Sequence, residues 1–139
     1  MLAMKIAIAA AVFGVLALIA YVGRRMQAPL RAQALFRVCT DDGGIAMCDP
    51  RGDRRHIEWS ALAQVAIHTT EGGPLEPDVL WCLESDGAKR AIVFPGGASG
   101  KRELIRALNE RLPAFRNEAL IEAMGSTANA RFVLWRRAT

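Results

Sequence analysis

The hydrophobic pattern of the chain changes twice. From Ile6 to Gly23 it reads IAIAAAVFGVLALIAYVG, eighteen residues without a charged side chain. At a helical rise of about 1.5 Å per residue such a run spans roughly 27 Å, close to the hydrocarbon thickness of a bilayer. A continuous helix satisfies every backbone N–H and C=O inside lipid, and the alanines and leucines here are good helix formers. Tyr21 stands where an interfacial aromatic would sit. The run predicts one transmembrane helix, with residues 1–25 as an anchor that meets the lipid bilayer through residues 6–23. A cleaved secretory signal is the competing reading. Against it, the run exceeds the usual apolar core of such signals, and no small-x-small site lies between it and Arg24-Arg25.

Residues 26–34 read as a polar linker in which Pro29 discourages a helix continuing from membrane to domain. Residues 35–139 read as one small α+β domain. Its first part has the period of strands. Ala34, Phe36 and Val38 alternate with Leu35, Arg37 and Cys39, the turn Asp41-Asp42-Gly43-Gly44 follows, and Ile45 to Cys48 returns as a hairpin. A two-residue Gly43-Gly44 turn would set Cys39 opposite Cys48, where a cross-strand disulfide is conceivable if the domain is periplasmic. The turn DPRGD at Asp49 to Asp53 leads into His56 to Trp59, and after a break at Ser60 to Gln64 the pattern resumes from Val65 to Thr69. Beyond a loop punctuated by Gly72-Gly73-Pro74 and Pro77, the run Val79 to Glu84 is apolar on both faces, which predicts a central or doubly covered strand. Ser85-Asp86-Gly87 is a further turn, and Arg90 to Phe94 a further strand. The expectation is an antiparallel meander or barrel of five or six strands.

From Ser99 the spacing becomes helical. Leu104, Ile105, Leu108 and Leu112 share one face, charged residues occupy the other, and Pro113 closes the run. Asn117 is placed to cap a second short helix through Met124, with Gly125 just beyond it. Arg131 to Trp135 is again strand-like. Strands followed by one or two capping helices make an α+β arrangement.

Charge refines this picture. The net charge is +4, yet of 18 basic residues Lys5, Arg24, Arg25, Arg31 and Arg37 flank the apolar run, leaving 13 from Val38 onward against all 14 acidic ones. The domain is near neutral, so the basic excess reads as a topology signal and a juxtamembrane attraction to anionic lipid; it does not point to a nucleic-acid surface. The heavier C-terminal flank predicts a single-pass protein of the inner (cytoplasmic) membrane with its domain in the cytoplasm. There Cys39, Cys48 and Cys82, which have no CxxC spacing, read as reduced thiols.

Candidate chemistry is sparse. PGGASGK at Pro95 to Lys101 resembles a phosphate-binding loop, but Pro95 replaces the first glycine and Arg102 the metal-binding Ser or Thr, so an ordinary strand-to-helix connection is the preferred reading. Arg51-Gly52-Asp53 reads as a turn. His56 and His68 show no ligand spacing with Cys39, Cys48 or Cys82, and Glu118 with Glu122 fits a solvated helix face. Trp59, Trp81 and Trp135 are expected in the core, with a groove-lining role as the alternative. Pro74, Leu75 and Pro77 form an apolar loop tip. No residue is assigned to catalysis, a metal or a cofactor.

At IEWSALAQVAI, and in the hairpin, strands and amphipathic helix that follow, the chain resembles small bacterial pleckstrin-homology-like domains over roughly residues 35–112. Its tail, NEALIEAMGSTANARFVLWRR, is similar to that of uncharacterised bacterial single-span membrane proteins. Members of the broader fold bind lipids, peptides or neighbouring proteins and are generally not enzymes. The resemblance therefore implies a membrane-tethered, non-catalytic binding module whose protein partner is not legible, using a sheet edge or the loop from Glu71 to Asp78. An immunity protein blocking a toxin at the membrane is a specific alternative, and an enzyme using a Cys-His pair is another. The second helix and last strand after Pro113 depart from the family pattern.

Overall fold

Alternating burial converts the strand patterns into two antiparallel sheets. The computed structural model describes residues 14–19, 33–71 and 79–138. The first sheet has the order β1 (Arg37–Thr40), β2 (Gly44–Cys48), β3 (Arg54–Glu58). The second has the order β6 (Ala91–Pro95), β5 (Val79–Ser85), β4 (Leu62–Thr69), β7 (Ala130–Arg136). Helices α1 (Lys101–Arg111) and α2 (Asn117–Met124) lie between β6 and β7. The architecture is α+β. Of the expected transmembrane helix over residues 6–23, only residues 14–19 are described, and they are helical. Among the described residues no helix is long and apolar enough to cross a membrane.

The anticipated break after Trp59 is the corner between the sheets. Ser60 and Ala61 turn the chain from β3 into β4, and Arg137 fastens that corner: its guanidinium donates to Ser60 O and Leu62 O and to both carboxylate oxygens of Asp86, the latter at 2.8 Å. β5 is central between β4 and β6 and buried on both faces, as its apolar composition predicts. The second sheet is not a plain meander. β7 returns from beyond both helices to pair with the free side of β4, with a bulge between Val65 and Ala66. Local period cannot announce a pairing of such sequence separation.

Two local expectations fail for identifiable reasons. The β1–β2 turn is held by Asp41, whose Oδ1 accepts from the Gly43 and Gly44 amides at 2.8 and 2.9 Å. This longer turn pairs Thr40 with Ile45, so Cys39 stands opposite Ala46 and Cys48 opposite Arg37. The Cys39–Cys48 disulfide register is thus absent, and both thiols are free. Asn117 is not a cap. Arg116 occupies that position, and the Asn117 side chain instead exchanges amide hydrogen bonds with Asn109 of α1 at 2.6 and 3.2 Å.

The core lies between the sheets and under α1. Trp81 and Phe94 stack with centroids 6.0 Å apart and are fully buried, alongside Ile45, Ile57, Leu83 and Ile92. Leu104 and Leu108 of α1 close it, while Ile105 is only partly buried. Replacing Leu108 by alanine is expected to cost about 2–5 kcal/mol, because buried methyl groups are deleted and a cavity remains. Replacing exposed Arg106 should cost well under about 1 kcal/mol. Denaturant melts of both variants check the assignment of the helix face, which is wrong if Leu108→Ala behaves like the parent.

Candidate functional site

The glycine-rich connection after β6 is occupied with holding the fold together. Ser99 N–H donates to Phe36 O at 2.8 Å and Val38 N–H to Ser99 O at 2.9 Å, a parallel bridge onto the start of the first sheet. Gln33 Oε1 accepts from Gly97 N–H at 3.0 Å, and Lys101 Nζ donates to Gly96 O at 2.8 Å. Gly100 has φ +89°, and a Cβ there would stand 2.0 Å from Val38 O. Gly100 thus serves a close backbone approach, while Gly97 makes room for the Gln33 side chain. Arg51-Gly52-Asp53 is likewise a turn, closed by Asp49 Oδ1 accepting from the Arg51 and Asp53 amides at 2.8 and 3.0 Å.

Cys82 and His68 lie on the same face of the second sheet but not as a pair. In the ladder Cys82 stands opposite Ala66, and His68 opposite Leu80 and Arg131. The Cys82 thiol instead donates to Glu84 Oε1 at 3.4 Å, and that oxygen lies 3.6 Å from Arg131 Nη2. Burial, followed by the Glu84 charge, pushes the thiol from 9.0 up to about 12, so it stays protonated near neutrality and is a poor nucleophile. Burial and then Arg131 lower the His68 pKa, which keeps its imidazole neutral at pH 7. His68 Nε2 and Trp81 Nε1 are buried without a hydrogen-bond partner among the described residues.

The remaining candidates divide between turn supports and surface. Trp59 covers the β1–β2 turn: its indole N–H donates to Asp41 O at 2.8 Å, and the Arg111 guanidinium lies 5.1 Å from its ring centre. Trp135, also partly buried, donates to Pro113 O at 3.1 Å. Of the tryptophans expected in the core, Trp81 alone is fully enclosed. Glu118 and Glu122 are exposed, Glu118 with Arg116 at 3.2 Å. The loop tip at Pro74, Leu75 and Pro77 lies outside the described residues.

What the sequence reading missed is a groove where β3 lies against β6 without pairing. Its floor includes Ile57 and Ile92 and its rim Arg55, His56, Lys89 and Arg90; with Gly14, Val15 and Leu18 of the described N-terminal helix as a further wall, it encloses about 560 Å³. An adjoining cleft of about 670 Å³ continues past Met47, Val93 and Arg54. Arg55, Lys89 and Arg90 are exposed and form no ion pair among the described residues. The local runs RRH at 54–56 and KR at 89–90 carried the signal, which a balance over the whole domain averages away. An apolar floor with cations at its rim suits an amphipathic ligand.

No family model, curated protein or solved structure matches the chain.

Cys82 makes stability depend on alkaline pH. Its folded value lies above the ordinary 9.0, so below pH 9 both states keep the proton, and between 9 and about 12 only the folded state does. Stability is lost as pH rises through that window. Comparing about pH 8 with about pH 10, Cys82→Ala should lose roughly 1 kcal/mol less than the parent. Urea midpoints of the two proteins at both pH values check this, and equal losses would contradict it.

Proposed function

We propose that the chain is a single-span protein of the inner membrane whose domain, of pleckstrin-homology-like character, is a non-catalytic binding module facing the cytoplasm. The observation that carries this reading is the eighteen-residue uncharged run Ile6–Gly23 followed by Arg24, Arg25, Arg31 and Arg37. Support for the domain reading is the α+β arrangement of two small antiparallel sheets and the amphipathic helix α1. α2 and β7 lie beyond the stretch that carries the resemblance.

Binding is favoured over catalysis by what each reactive group is doing. The Cys82 thiol is protonated, Lys101 is tied to Gly96 O, and the glycine-rich connection spends backbone groups on the first sheet. The groove between β3 and β6 offers the combination that a binding module needs, apolar area with unpaired cations at its edge. A bilayer anchor raises the local concentration of the domain at the membrane, so weak contacts suffice there.

Alkaline carbonate extraction of the full chain tests the anchor. The protein is expected to stay with the membrane, with its mass retaining residues 6–23, whereas a chain lacking residues 1–25 should be released. The exposed Cys39 thiol should react with a membrane-impermeant maleimide only after cells are permeabilised. Release of the full chain, or an N-terminus beginning after Gly23, refutes the anchor. Labelling of Cys39 in intact cells would move the domain to the other side.

A further inference from the structure

Residues 14–19 lie on the domain. Val15 is 8% exposed and belongs to the hydrophobic core, and Leu18 and Ile19 pack against that core. Gly14, Val15 and Leu18 line the β3–β6 groove together with Arg55, Lys89 and Arg90. Yet Gly14 and Val15 are also the midpoint of the run Ile6–Gly23. In a spanning helix they would sit at the bilayer centre, where an arginine or lysine beside them is strongly disfavoured. Arg54, also exposed, lines the adjoining cleft with Ala17 and Leu18, so the conflict extends along more than one turn of the segment. One set of residues cannot occupy both places.

We propose that the β3–β6 groove is a docking surface for this chain's own apolar N-terminal segment, and that docking there and spanning the bilayer are mutually exclusive states of it. The inference rests on the anchor reading given above. The docked state buries Val15 and part of Leu18 before a membrane is met, and lipid draws the segment away because it solvates the whole run Ile6–Gly23. Once the segment has left, the floor at Ile57 and Ile92, buried while it is docked, is uncovered beside cations that are exposed in either state. The apolar floor is therefore available to a ligand only in protein that has entered a membrane, which confines the module's full binding surface to that location.

Cross-linking of the full chain tests this. Leu18→Cys with Arg55→Cys places two thiols on the groove, in a background of Cys39→Ser, Cys48→Ser and Cys82→Ala. Ala17→Cys with Arg54→Cys is a second pair along the adjoining cleft. Protein synthesised without membranes should be joined by a short bismaleimide, and prior insertion into phospholipid vesicles should lower the yield at least about tenfold. Protein joined beforehand should be released from vesicles by carbonate, while the unjoined protein stays. Failure of both pairs to join in the absence of membranes overturns the docking. Joined protein that resists carbonate as well as unjoined protein overturns the exclusivity but leaves the anchor standing. Unjoined protein that carbonate releases overturns the anchor reading, and the inference with it.

Discussion

The parallel exchange between Phe36–Val38 and Ser99 is the constraint on which the rest of the fold depends. β1 begins the first sheet, and Ser99 follows the last strand of the β4–β6 meander, so two hydrogen bonds of 2.8 and 2.9 Å fix one sheet against the other. The approach leaves no room for a Cβ at residue 100 and demands a positive φ there, conditions that glycine meets without strain. From that fixed point α1 starts, with Leu104 and Leu108 directed at the core that the two sheets enclose. Val38, whose amide donates to Ser99 O, has its side chain buried in the core. The likeness of PGGASGK to a phosphate loop has this origin: both need backbone at close quarters, here with a strand in place of a ligand.

Elements defined by local period were legible in the sequence. Phe36 and Val38 are buried while Leu35, Arg37 and Cys39 are exposed, as alternation requires, and the α1 face appears at the predicted spacing. What escaped was set by non-local or side-chain geometry. The Asp41 carboxylate, held below its ordinary range by the Gly44 and Gly43 amides, lengthens the first turn and so moves Cys48 away from Cys39. β7 reaches β4 across two helices, and nothing within Arg131–Trp135 names its partner. Asn117 has good capping chemistry, but Asn109 on the neighbouring helix competes for the same amide and wins. The groove was invisible because its cations come from two segments, each close in sequence to acidic residues such as Asp53 and Asp86.

The insertion of β7 also explains why an acid is tolerated in the central strand. Glu84 is half-buried on β5, where its neighbours across β4 and β6 are Gln64 and Ala91. Arg131 arrives with β7 and sets its guanidinium 3.6 Å from the carboxylate, while the Cys82 thiol donates to the same oxygen. A partly buried carboxylate is tolerated where a cation and a hydrogen-bond donor face it, as they do here. The consequence falls on Cys82, whose ionisation is suppressed first by burial and then by the charge of Glu84.

The groove follows from the way the two sheets end. β3 and β6 are edges of different sheets that touch without forming a ladder, so their splay leaves Ile57 and Ile92 at the base of a cleft. Exposed edges invite pairing with other chains, and Arg54, Arg55, Lys89 and Arg90 along this seam are the charged side chains that commonly prevent it. Such cations repel a second copy of the same edge but do not remove the apolar floor from water. An apolar helix covers that floor without needing backbone pairing, because its own hydrogen bonds are internal. Residues 14–19 meet that requirement from within the chain, and the property that suits them to the seam, an uncharged helical surface, is the property that suits the whole run to lipid.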